Sequence, residues 1–169
     1  GSPTEEFDYE KAVSVALSRI KGGELSKIVL ARKLTYPVSG ELPTFSIAHA
    51  LRERFPDCFT FCIATPDDGM MVGATPETLA KVSGNSLETE ALAGSAPRGP
   101  SAGKDAHWGK TLLARDKEAL EHRLVIDSMK RRPSSIGLDS CQEGRSRLLR
   151  LANLQHIRTP LRATLPTGI

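Results

Sequence analysis

The sequence predicts an α+β fold, with strands gathered into hairpins and helices set between them rather than a βαβ alternation. Three observations carry that reading. Two pairs of short β-forming runs are joined by turn residues, at Asp67-Asp68-Gly69 and at Gly84-Asn85. Apolar residues recur at helical spacing in three other segments. A chain of 169 residues, 39% hydrophobic and 25% charged, suits one soluble domain with a real core.

The elements follow in order. Asp8 is placed to cap a helix in which Tyr9, Ala12, Val13, Ala16, Leu17 and Ile20 form one face, until Gly22-Gly23 stops it. Residues Lys27 to Tyr36 are rich in β-formers and close at Pro37, so they predict a strand. A short helix is expected from Phe45 to Phe55, then a hairpin of Cys58–Ala64 with Met70–Ala74. A second hairpin spans Thr78 to Leu92. Gly94 to Gly103 is too rich in Gly, Pro and Ser for extended regular structure. One long helix is expected from about Lys110 to Arg131, ended by Pro133, and a polar-interrupted strand from Ser146 to Leu161.

Composition excludes several classes. No apolar run reaches the roughly 18 residues of a membrane span, and the N-terminus lacks a signal pattern. Gly1-Ser2-Pro3 reads as a cloning remnant. Cys58, Cys62 and Cys141 cannot all pair internally, which argues against a disulfide scaffold and for a cytoplasmic protein. The net charge is +3, yet residues 130–169 hold eight Lys/Arg against Asp139 and Glu143 alone. That stretch has no Phe, Tyr or Trp to stack on bases, so a solvated or partner-covered surface is favoured over nucleic-acid binding.

The residues alone offer chemistry sparingly. Gly99 to Lys104 is one residue short of a phosphate loop, with Asp105 where a Ser or Thr belongs. Ser101 and Lys104 have nucleophile-pair spacing without its companions. The four histidines are scattered, and Cys58 with Cys62 makes no metal site. Lys27 opens an apolar strand: it is either an exposed edge lysine or a desolvated general base. Glu121, beside His122, is either a solvated helical charge or a metal ligand.

Four segments together resemble the chorismate-utilising enzymes across essentially the whole chain. They are Ser26-Lys27-Ile28-Val29-Leu30-Ala31-Arg32, Gly73-Ala74-Thr75-Pro76-Glu77-Thr78-Leu79, Glu90-Ala91-Leu92-Ala93-Gly94-Ser95-Ala96-Pro97-Arg98-Gly99, and the helix from Asp116 to Val125. A Leu154-Gln155-His156 signature follows in the expected order. The resemblance implies an antiparallel β-sheet with helices packed outside, and points to the isochorismate-forming branch. It implies Lys27 as the base that activates water, Glu77 as the acid that protonates the departing C4 hydroxyl, and Glu121 as a ligand of Mg²⁺. Aminodeoxychorismate-forming relatives carry a nucleophilic lysine where this sequence has Ala93, which favours water addition.

Such chemistry needs a base and an acid on opposite sides of the ring, with substrate carboxylates oriented by a hard cation and by backbone N–H groups. A turn at Leu92, Ala93, Gly94 and Ser95 is expected to supply those N–H groups as an anion nest. The family's later motifs, a His-Pro-Thr-Pro segment and a Trp-x-Glu metal motif among them, do not occur here. Residues 4–169 are therefore expected to be an incomplete chorismate-binding domain with its C-terminal portion missing, inactive alone and prone to self-association through uncovered apolar surface. The alternatives are a salicylate synthase, which also eliminates pyruvate, and a non-catalytic binding module. Chorismate is the expected partner, with neither nucleic acid nor membrane.

Overall fold

In the computed structural model, which describes residues 4–5, 7–66, 69–134 and 141–166, the chain divides into two units, Gly1–Pro43 and Thr44–Ile169. In the first unit, helix α1 (Tyr9–Lys21) begins where the Asp8 side chain accepts the Lys11 N–H at 3.0 Å. It ends at Gly22, whose N–H bonds the Ser18 carbonyl. Ala16 is the buried anchor of its apolar face.

The strand expected from Lys27 to Tyr36 is a correction. Among the described residues, the strand in this run is Leu34–Thr35 alone (β2), antiparallel to Thr4–Glu5 (β1). Extended backbone becomes a strand only beside a neighbour that takes its N–H and C=O groups, and β1 offers two residues. Val29 is accordingly 81% exposed.

The second unit begins with α2 (Thr44–Arg54) beside an antiparallel hairpin of β3 (Phe59–Thr65) and β4 (Gly69–Thr75). Their register runs from Phe59 opposite Thr75 to Thr65 opposite Gly69. Asp67 and Asp68 of the expected turn lie outside the described residues. The second expected hairpin is present as β5 (Lys81–Ser83) and β6 (Ser86–Pro97), joined at Gly84-Asn85.

A five-stranded antiparallel sheet dominates this unit. Strand β6 pairs along its length with β9 (Leu154–Thr164), and the far edge of β9 carries β7 (Cys141–Glu143) and β8 (Arg147–Arg150) in tandem. Two helices, α3 (Ala102–Ala114) and α4 (Asp116–Ser134), pack against one sheet face. Alternation along β9 decides which residues meet them: Gln155, Ile157, Thr159, Leu161 and Ala163 are buried, while Arg158 and Arg162 are exposed. Leu161 packs with Ala91 and Ile126, flanked by Val125, Met129 and Cys141. Two details differ from expectation. The single long helix is two helices broken at Arg115, whose ψ of 124° is extended, and Pro133 falls within the last turn of α4 rather than before it.

A buried carboxylate ties the start of α3 to the sheet. Asp105 accepts from Arg98 Nε at 2.8 Å, Arg98 Nη2 at 3.1 Å and the Gly99 N–H at 2.8 Å. Arg98 Nη1 also donates to the Leu151 carbonyl. The Arg98 hydrogen bonds, then the Gly99 N–H, hold the Asp105 carboxyl below its ordinary 3.8. A depressed folded pKa means stability that is present above 3.8 and lost as pH falls through the lower folded value. The difference in urea midpoint between the wild type and Asp105→Asn should therefore be constant above about pH 5 and shrink below pH 4. A difference that stays constant down to pH 2 would show that the clamp does not titrate.

Among the described residues, no helix is long and apolar enough to cross a membrane.

Candidate active site

Lys27 lies in the first unit; the other sequence-predicted site residues lie in the second. Lys27 is half-buried, six residues beyond the end of α1, in the extended run that β1 does not reach.

Glu77 follows β4 in a short loop, where its backbone N–H bonds Thr75 Oγ1 at 3.3 Å. The residue is exposed. Its carboxyl is nonetheless pushed above the ordinary 4.5, first by partial burial and then by the nearby Glu90 carboxylate. Glu90 is itself 4% exposed on β6. One of its oxygens accepts the Thr78 N–H at 3.1 Å, which pins the residue after Glu77, and the other pairs with Arg158. A carboxyl kept protonated to higher pH by a neighbouring carboxylate is the arrangement a general acid needs.

Leu92, Ala93, Gly94 and Ser95 are not the turn that was expected. They continue β6, with Leu92 opposite Arg158, Ala93 opposite Ile157 and Ser95 opposite His156. The ladder shifts between Ala93 and Ser95, so Gly94 is a β-bulge residue with φ of +80°. A Cβ at Gly94 would also lie 3.3 Å from Ile157 Cδ1 and 3.5 Å from Glu118 Cβ. The backbone available to a ligand here is the bulge alone, because sheet pairing occupies its neighbours.

Near the bulge, Ser95 and Glu121, which had expected roles, meet His156 and Glu118, which sequence reasoning left without one. Ser95 Oγ and His156 Nδ1 share a hydrogen bond at 2.8 Å. Burial lowers the His156 pKa, partly opposed by its bond to the Gly94 backbone. Glu118 reaches the same place from α4: its side chain is 16% exposed, and Oε2 is buried with no hydrogen-bond partner. Glu121, half-buried, stands three residues further along α4 and so on the same helix face. The signals were present, in the i,i+3 spacing of the two glutamates and in the Leu-Gln-His segment. Ser95 and His156, however, are 61 residues apart, and only the β6–β9 register joins them.

An unpartnered buried carboxylate oxygen beside a second carboxylate fits a hard cation such as Mg²⁺, which prefers oxygen donors and retains waters. Among the described residues there is no cluster of three or more candidate ligands.

Comparison with known proteins gives a consistent picture. A family model described as chorismate binding enzyme matches residues 2–169. The salicylate biosynthesis isochorismate synthase of Pseudomonas aeruginosa is 34% identical over 166 residues, covering 97% of this chain and 34% of that protein. Anthranilate synthase component 1 1 of Halobacterium salinarum is 32% identical over 93% of this chain and 30% of its own length. A crystal structure from Bacillus anthracis, provisionally assigned as the 2,3-dihydroxybenzoate-specific isochorismate synthase DhbC, superposes with a TM-score of 0.83 at 25% identity, over 98% of this chain and 46% of that one. The chain thus spans about a third of the length of these curated relatives.

Proposed function

The chain belongs to the chorismate binding enzyme family, and from that premise we propose that it carries the base and acid of an isochorismate synthase. The observation that carries the reading is Glu77, a loop carboxyl beside buried Glu90 and raised above its ordinary pKa. Lys27 takes a proton from the water that attacks C2 of chorismate. The ring double bonds shift, the C4–O bond breaks, and Glu77 gives its proton to the departing hydroxyl, which leaves as water. Atoms and charge balance, so the reaction is an isomerisation. The bulge at Gly94, with Ser95 held by His156, presents backbone N–H and hydroxyl to a substrate carboxylate.

Glu118 and Glu121 would hold Mg²⁺, which supplies charge neutralisation for the substrate carboxylates when bound. In the gene product that encodes this chain, Glu118→Gln and Glu121→Gln should each weaken Mg²⁺ binding by at least about tenfold in a calorimetric titration. Unchanged affinity in both variants would remove these carboxylates from the metal.

The test of function is incubation of the full-length gene product with chorismate and Mg²⁺, followed by chromatography. Isochorismate without pyruvate is the expected result. Pyruvate stoichiometric with chorismate loss, read by coupling to lactate dehydrogenase, would assign salicylate formation instead.

A further inference from the structure

We propose that the face of the five-stranded sheet opposite α3 and α4 holds a binding site for a small anion carrying at least two negative charges, formed by Arg145, Arg147, Arg158 and Arg162. The inference is independent of the roles given to Lys27 and Glu77.

Four guanidinium groups line one cavity of about 460 Å³ between the β7–β8 connection and β9. That size falls within the range of small-molecule sites. Two of the four have acidic partners: Arg158 pairs with Glu90, and Arg162 Nε lies 3.1 Å from Glu88. Arg145 and Arg147 have no ion-pair partner among the described residues. Glu143, the one carboxylate in the lining, is already engaged by Arg123 at 2.9 Å and by Lys130 at 3.1 Å. The cavity therefore carries about two uncompensated positive charges.

Sheet register supplies a second, separate observation. Arg147 on β8 stands directly opposite Arg158 on β9. Like charges in directly opposed positions destabilise a strand pair, because their Cβ atoms are only about 5 Å apart. An anion bridging the two guanidiniums turns that repulsion into two attractions. All four cations are arginine, whose planar fork matches carboxylate and phosphate oxygens in pairs. No aromatic side chain lines the cavity, so nothing there stacks on a nucleobase. The ligand class is a dicarboxylate or a phosphate. The four residues are also half of the eight basic residues in 130–169, so the charge asymmetry of the sequence has a location.

The experiment titrates the 169-residue chain separately with malate and with inorganic phosphate, by calorimetry at fixed ionic strength. Saturable one-to-one binding is expected. The double variant Arg145→Ala/Arg147→Ala, and the milder Arg145→Gln/Arg147→Gln, should weaken it by about tenfold or more. Lys104→Ala/Lys110→Ala removes two charges from α3, outside the cavity, and should leave the affinity unchanged. Tighter malate binding assigns the site to carboxylates, and tighter phosphate binding to phosphates. Non-saturable binding, or equal weakening by the arginine and lysine pairs, overturns the proposal. So does binding by the chain that is absent from the full-length gene product, because other protein would then cover this face.

Discussion

Lys27→Ala in the full-length gene product should lower kcat by about two to four orders of magnitude, and Glu77→Gln should do the same, the usual loss for a general base or acid. Water is a poor nucleophile at neutral pH, and hydroxide is a poor leaving group, so neither half of the reaction proceeds without its proton transfer. Chorismate affinity should change far less, since both groups act on protons rather than on the substrate carboxylates. A variant with near-normal turnover would remove the role assigned to that residue. The pH profile adds a sharper readout. Glu77 must be protonated to act, and the Glu90 carboxylate helps to keep it so. Glu90→Gln removes that negative charge, so the Glu77 pKa falls and the limb of kcat that Glu77 sets moves to lower pH. Arg158→Met acts in the opposite direction, because Arg158 offsets the Glu90 charge. Limbs that do not move in opposite directions would show that Glu90 and Arg158 do not tune the acid.

What the sequence made legible was local. Helix α1 is set by Asp8 and a regular apolar face, and both hairpins by turn residues between their own strands. Features that depend on distant partners were not legible. Lys27 to Leu34 has strand composition, yet only Leu34 of that run joins a strand, because among the described residues its unit offers the two residues of β1 to pair with. Helix α3 was hidden by its polar, glycine-containing start, where Asp105 looks like a loop residue until Arg98 and Gly99 close on it. The site divides in the same way. Lys27, Glu77 and Glu121 were proposed through resemblance to a family. Glu118 and His156 emerged only when α4 and β9 were brought to the bulge at Gly94. Burial of one carboxylate oxygen without a partner is a property of packing, and no spacing rule reveals it.

One substitution made at two nearby glycines should have effects of opposite sign, and the larger of them tests the Asp105 clamp. A Cβ on Gly99 would lie 2.2 Å from the Asp105 backbone nitrogen, 2.5 Å from its Cα and 2.6 Å from the Lys104 carbonyl carbon. Those atoms belong to the first turn of α3, so no side-chain rotation relieves the overlap. The helix start must move away, and with it go the Gly99 N–H bond to Asp105 and the paired Arg98 contacts. Overpacking of this kind costs about 1–3 kcal/mol, and more when the opposing atoms are backbone, so Gly99→Ala should sit at or above the top of that range. Gly103, four residues on and within α3, has nothing within 4 Å of its Cβ position. There the same substitution removes only the flexibility of glycine in the unfolded chain, and Gly103→Ala should stabilise by about 0.5–1 kcal/mol. Urea denaturation of the two variants beside the wild type measures both. If Gly99→Ala is tolerated as well as Gly103→Ala, the close approach of Gly99 to α3, and the register it imposes between Arg98 and Asp105, does not hold in solution.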